Sequence, residues 1–169
     1  MQIIIEGLAL AAFERQRASV MDPLLKDIFY LVIRDEARHV TFGVNYLEEF
    51  VSTLSEKERN DRAEFAYEAC VVMRSRFGST NVLKHYGWDT EESIEEIKKV
   101  QTSSEAARLF NNLLFSKIMP NLKKIGLLTD EVSEKYEEMG ILQFKDLEDA
   151  GVIDWEEMTK PLEYSSKTT

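Results

Sequence analysis

The sequence predicts an all-α fold, and three observations carry that expectation. Only seven Gly and three Pro interrupt 169 residues. No run alternates Val, Ile and Thr with polar residues as a half-buried strand would. Apolar residues instead recur at steps of three and four between capping signals. The length suffices for one sizeable core, and 44% hydrophobic with 31% charged residues is a globular composition.

The elements follow in order. A first helix is expected from about Met1 to Ala18, ended by "SVMDP". Asp22 is placed as N-cap and Pro23 at the first helical position, where its missing N–H costs nothing. A long second helix then runs to about Thr53. Ser55 and Glu58 have the spacing of a capping box and open a third helix to about Phe77, with Gly78 as its stop. "KHYGWDTEE" reads as a turn, with Asp89 or Thr90 capping a short acidic helix. Ser103 or Ser104 caps another, whose apolar positions (Ala106, Leu109, Phe110, Leu113, Ile118) suit a cover for the bundle or a dimer face. Pro120 is expected to stop it. Thr129 begins a short helix ended by Gly140, and "FKDLEDAG" suggests one more before Gly151.

This gives a helix pair plus third helix over 1–78 and a C-terminal helical extension over 79–158. The polar tail 159–169 has no apolar period and is expected to be disordered. "MQIIIEGLALAAF" opens at full hydrophobic strength without a cap, so the chain is expected to start inside a domain.

A net charge of −10 argues against nucleic acid or an anionic membrane as partner, since both attract a basic footprint. The longest apolar run, Leu8 to Phe13, is too short to span a bilayer, and no secretory leader is recognisable. Cys70 is the single cysteine and cannot form an internal disulfide. It reads as a core residue, with no cation nearby to make it a thiolate. A cytoplasmic location is the expectation. Trp88 and Trp155 are expected to anchor the C-terminal helices, and Tyr30 and Tyr46 to pack.

The chemistry lies in "YLVIRDEARHVTFGV". Steps of three and four along the second helix trace Leu25, Phe29, Val32, Glu36, His39, Gly43, Leu47 and Phe50 as a core stripe, on which Glu36 and His39 are the polar members. The first helix gives Ile3, Glu6, Leu10 and Phe13. Glu6 and Glu36 stand equally far in sequence from Met21, the centre of the connection. Folded back on each other, the helices bring both carboxylates to about 20 Å from the turn, at roughly 1.5 Å per residue. His39 follows about one turn away. Two carboxylates and an imidazole converging in a core need a cation. No Lys or Arg falls on either stripe at that level, so a metal is the economical reading. Oxygen and imidazole donors suit iron or manganese.

Glu6 in "IEGLALAAF", with Glu36 and His39 in "RDEARHVTFG", resembles half of the ligand set of ferritin-like di-iron carboxylate proteins. The D-E-x-R-H wording is similar to the second metal-binding helix of the oxygenase and oxidase branches. These are the bacterial multicomponent monooxygenases and the oxidases like the ribonucleotide reductase small subunit; storage ferritins are less alike. The resemblance covers about residues 1 to 50. It implies a ferritin-like bundle whose Glu6, Glu36 and His39 bind iron, two ions per complete site, with a manganese–iron pair as the variant. It further implies that Asp35 orients a histidine and that Arg38 is a charge partner near the site. An enzyme of this kind activates O2, draws on an electron donor and oxidises an organic substrate. Phe13, Phe29, Ala9 and Ala12 are its candidate lining, or plain core.

A complete site needs a second Glu and a second E-x-x-H. His85 is preceded three residues earlier by Val82, and Glu64 and Glu68 have no partner histidine and read as solvated. Three explanations stand open. A first helix pair is missing from a longer protein, or two copies each supply half a site as a homodimer, or the chain binds no metal. Ferritin-like iron storage and a metal-free helical interaction module are the alternative functions.

Overall fold

The computed structural model describes residues 2–75, 80–88 and 91–147, which form seven α-helices and one 3-10 turn, without a strand among them. The helices are α1 (Gln2–Ser19), α2 (Pro23–Ser52), α3 (Glu56–Ser75), α4 (Thr80–His85), α5 (Glu91–Ser103), α6 (Glu105–Lys124) and α7 (Asp130–Glu138). The 3-10 turn, Leu142–Asp146, stands where "FKDLEDAG" suggested a helix. The expectations at Gly78, Asp89, Thr90, Trp155 and the 159–169 tail fall outside the described residues.

Local chemistry sets the boundaries. The Asp22 carboxylate accepts the Leu25 N–H at 3.0 Å, and Pro23 occupies the first helical position. That satisfies one of the donors a helix start leaves open. Glu58 reaches back to the Ser55 N–H at 3.0 Å and its hydroxyl at 2.6 Å, while Ser55 Oγ accepts the Glu58 N–H at 3.4 Å. This is the reciprocal capping box the spacing implied. Ser104, rather than Ser103, caps α6 by accepting from Ala107 N. Gly140 ends α7 with φ +71°, a left-handed conformation that suits a residue without Cβ.

α1 packs chiefly against α2 on one side and α6 on the other, while α3 packs on α7 and the 3-10 turn on α6. Residues on both sides of position 79 therefore share one core. Leu114, Phe115, Ile118, Met119 and Leu122 of α6 are almost fully buried, with Ile3, Ile4, Leu10 and Ala11 of α1. Gly7 permits the close approach of these two helices: a Cβ there would sit 3.0 Å from Ile118 Cγ1. The α3–α7 contact combines an edge-on Tyr67–Tyr136 pair, centroids 5.4 Å apart, with Asn60 donating to Glu131 and Lys135 pairing with Glu64. Glu64 is thus tied to α7, whereas Glu68 is exposed.

Three expectations need correction. Pro120 does not stop α6, which continues to Lys124. Burial of Ile118, Met119 and Leu122 outweighs one lost backbone bond, and Asn121 Nδ2 donates to the Lys117 carbonyl beside the gap at 2.8 Å. Trp88 anchors little, being 62% exposed. The buried face of α2 is also displaced from the expected stripe. It runs through Ala37, Val40, Gly43, Val44 and Val51, whereas Leu25 and Phe50 are exposed. Small and β-branched side chains fill the buried face, and they admit closer helix approach than aromatics. Phe42, Tyr46 and Phe50 instead stack on one another along an uncovered face, with centroids 6.4 and 6.5 Å apart.

Candidate metal centre

The α1–α2 hairpin brings Glu6, Glu36 and His39 together. One ligand atom from each lies within 4.8 Å of the others. His39 Nδ1 is 3.3 Å from Glu36 Oε2 and 3.8 Å from Glu6 Oε2. Two donors each about 2.1 Å from a common ion stand no more than about 4.2 Å apart, so both separations fit a shared ion. The equal distance of the two carboxylates from the turn is what places them at one level.

The triad borders the core instead of lying within it. Glu6 and Glu36 side chains are each 23% exposed, and His39 is 60% exposed. The displaced buried face of α2 accounts for this: Ala37 and Val40 take the buried positions, and Glu36 and His39 stand beside them toward the open side. The burial penalty that seemed to demand a cation is correspondingly smaller, since water still reaches the imidazole.

The electrostatics centre on Glu6. A hydrogen bond with the Glu36 carboxyl raises its pKa above the ordinary 4.5, with burial and the Glu36 charge adding to the rise. His39 acts in the opposite direction through its charge and its own hydrogen bond. Two acidic groups this close favour holding a proton between them until a cation arrives. The arrangement can therefore do two things: share a proton within a carboxyl pair beside an imidazole, or offer two oxygens and one nitrogen to a metal ion.

Asp35 and Arg38, next to Glu36 and His39 on α2, pair with each other across one turn at 2.9 Å, with side chains 62% and 42% exposed. Phe13 and Phe29, both half-buried, meet at 5.9 Å between centroids nearer the turn. His85 is exposed on α4, edge-on to Tyr86, and takes no part. Cys70 is fully buried, and burial pushes its thiol up to about 11. It is therefore a neutral core residue at physiological pH.

Sequence reasoning missed a second feature. A cleft of about 840 Å³ opens between α1, α6 and the turn after α7, with Arg15, Arg74 and Arg108 in its wall. These arginines come from three helices and no spacing connects them, so no motif could have flagged them. None of the three triad residues lines this cleft. No helix among the described residues is long and apolar enough to cross a membrane. Comparison with protein-family models, curated proteins and solved structures finds no match for the chain.

Proposed function

We propose that Glu6, Glu36 and His39 form one half of the ligand set of a di-metal centre in a ferritin-like, O2-dependent oxidoreductase. The convergence of these three groups from two helices, at separations a single ion can bridge, is the observation that supports this reading. Two carboxylates and one imidazole are an oxygen-rich set that favours iron or manganese. When bound, paired irons of this kind supply the electrons and the open coordination positions for reducing O2.

The chain's own residues have distinct tasks in this reading. Glu6 and Glu36 exchange the proton between them for the metal. His39 offers Nδ1 from a largely exposed ring, so it can turn toward an ion without disturbing the core. Ala37 and Val40, buried in the core and next in sequence to Glu36 and His39, fix the setting of α2 from which the two carboxylates meet. Water leaves the site only when the open face of α2 is covered, which the missing ligands would accomplish on arrival.

Those ligands come from a further helix pair or from a second copy of the chain. One pattern favours the second copy. Leu25 precedes Glu36 by as many residues as Phe50 follows His39, and Phe29 matches Tyr46 in the same way. A copy turned about a two-fold axis at that midpoint would set apolar positions against apolar positions and bring a second triad to the first.

An oxygen electrode tests the activity. The chain, loaded anaerobically with Fe(II) and supplied with ascorbate, should consume O2 well beyond one equivalent per iron, and Glu36→Gln should lose this excess. Uptake that stops in proportion to added iron would mean storage. Uptake equal in wild type and Glu36→Gln would contradict the proposed site.

A further inference from the structure

The arginine-walled cleft stands apart from the metal reading and does not depend on it. Acids outnumber bases 31 to 21 over the chain, yet among the described residues this wall contains three arginines and no carboxylate. Two of the guanidinium groups are held in place. Arg74 Nη1 donates to the Met139 carbonyl at 2.8 Å, and the Arg15 guanidinium lies over the Phe110 ring, 5.6 Å from its centroid. A guanidinium has five N–H donors, so one backbone bond leaves Arg74 donors to spare, and the ring contact occupies none of the Arg15 N–H groups in a hydrogen bond.

The remainder of the wall is apolar or amide. Phe110, Phe115 and Ile141 supply hydrophobic surface, and Asn111 stands beside them. The Asn111 side-chain oxygen is buried and accepts no hydrogen bond among the described residues. A buried acceptor of this kind calls for a donor. The cleft's volume falls in the range of small-molecule sites, which combine an apolar lining with a few converging polar groups.

We propose that this cleft binds a small amphiphilic oxyanion, a carboxylate or a phosphate monoester on an apolar body, whose head is held by Arg15, Arg74 and Arg108. Planar forks match either head group with paired N–H···O bonds, while the body lies against Phe110 and Phe115. The arginines come from α1, α3 and α6, so the bound anion would also join three helices.

The test is a titration of the 15N-labelled full chain with octanoate, octyl phosphate and octanol, following the arginine Nε–H resonances. At least one anion should saturate with shifts at Arg15, Arg74 and Arg108, and the better of the two names the head group. Octanol should bind at least tenfold more weakly. Arg15→Gln and Arg108→Gln, both at exposed positions, should each raise the Kd tenfold or more. Arg108→Lys should fall between, and Arg62→Gln, outside the cleft, should match wild type. Octanol binding as tightly as the anions would overturn the proposal by leaving only an apolar groove. It fails equally if neither anion binds, or if Arg15→Gln and Arg108→Gln keep the wild-type Kd.

Discussion

At Glu6, the hydrogen bond to Glu36, burial and the Glu36 charge favour a proton, while His39 favours the charged form. With the folded pKa raised above 4.5, the folded chain holds this proton to higher pH than the unfolded chain does. The site's contribution to stability is therefore greatest below about pH 4.5 and is lost as pH rises through the folded value. Glu6→Gln removes that dependence. Thermal melts of the metal-free proteins should show Glu6→Gln gaining on wild type between acidic and neutral pH; parallel curves would contradict the Glu6–Glu36 coupling. His39, more than half exposed, contributes little without metal. His39→Ala should shift metal-free stability by less than about 0.5 kcal/mol yet abolish any rise in Tm that Fe(II) gives the wild type. The triad was legible in the sequence because its geometry needs only helical rise and a turn. Its exposure was not, because which side of α2 meets α1 depends on where two helices settle together. Asp35 and Arg38, three apart on α2, pair with each other as helical spacing allows.

The helices themselves follow local rules where backbone groups must be satisfied by nearby side chains. Asp22→Ala should cost about 1 kcal/mol, as loss of an N-cap does, and Ser55→Ala a similar amount through the capping box; denaturant midpoints measure both. Where packing overrides local preference, sequence reading fails. Pro120 is carried inside α6 because the residues around it are buried, and Trp88 lies largely exposed beside Tyr86. Gly7 gave no signal as a contact residue, since its partner, Ile118, is far away in sequence. Gly7→Leu should wedge α1 from α6 and destabilise the chain by about 1–3 kcal/mol, the usual cost of overfilling a tight contact. An unchanged denaturation midpoint would mean that α1 and α6 do not approach as described.

For the molecule as a whole, α2 is half covered. α1 and the core take one side, and the other presents Leu25, Ile28, Phe42, Tyr46 and Phe50 to solvent around Glu6, Glu36 and His39. Apolar surface collected on one helix face marks an interaction site more often than scattered exposed residues do. If that face joins two copies, Phe42→Lys with Tyr46→Lys should lower the sedimenting mass and remove any dependence of Tm on chain concentration. An unchanged mass would leave the face to a different helix pair. The all-helical class was legible from breakers and spacing alone. The arginine cleft was not, because it exists only once three helices are assembled.

Whether Glu6, Glu36 and His39 hold metal decides most of this account. Native mass spectrometry of the chain loaded anaerobically with Fe(II) measures it directly. Wild type should retain iron, Glu36→Gln and His39→Ala should not, and retention of two ions per pair of chains would identify the complete centre. No retained iron in any assembly of the wild type, or equal retention in all three proteins, would contradict the assignment.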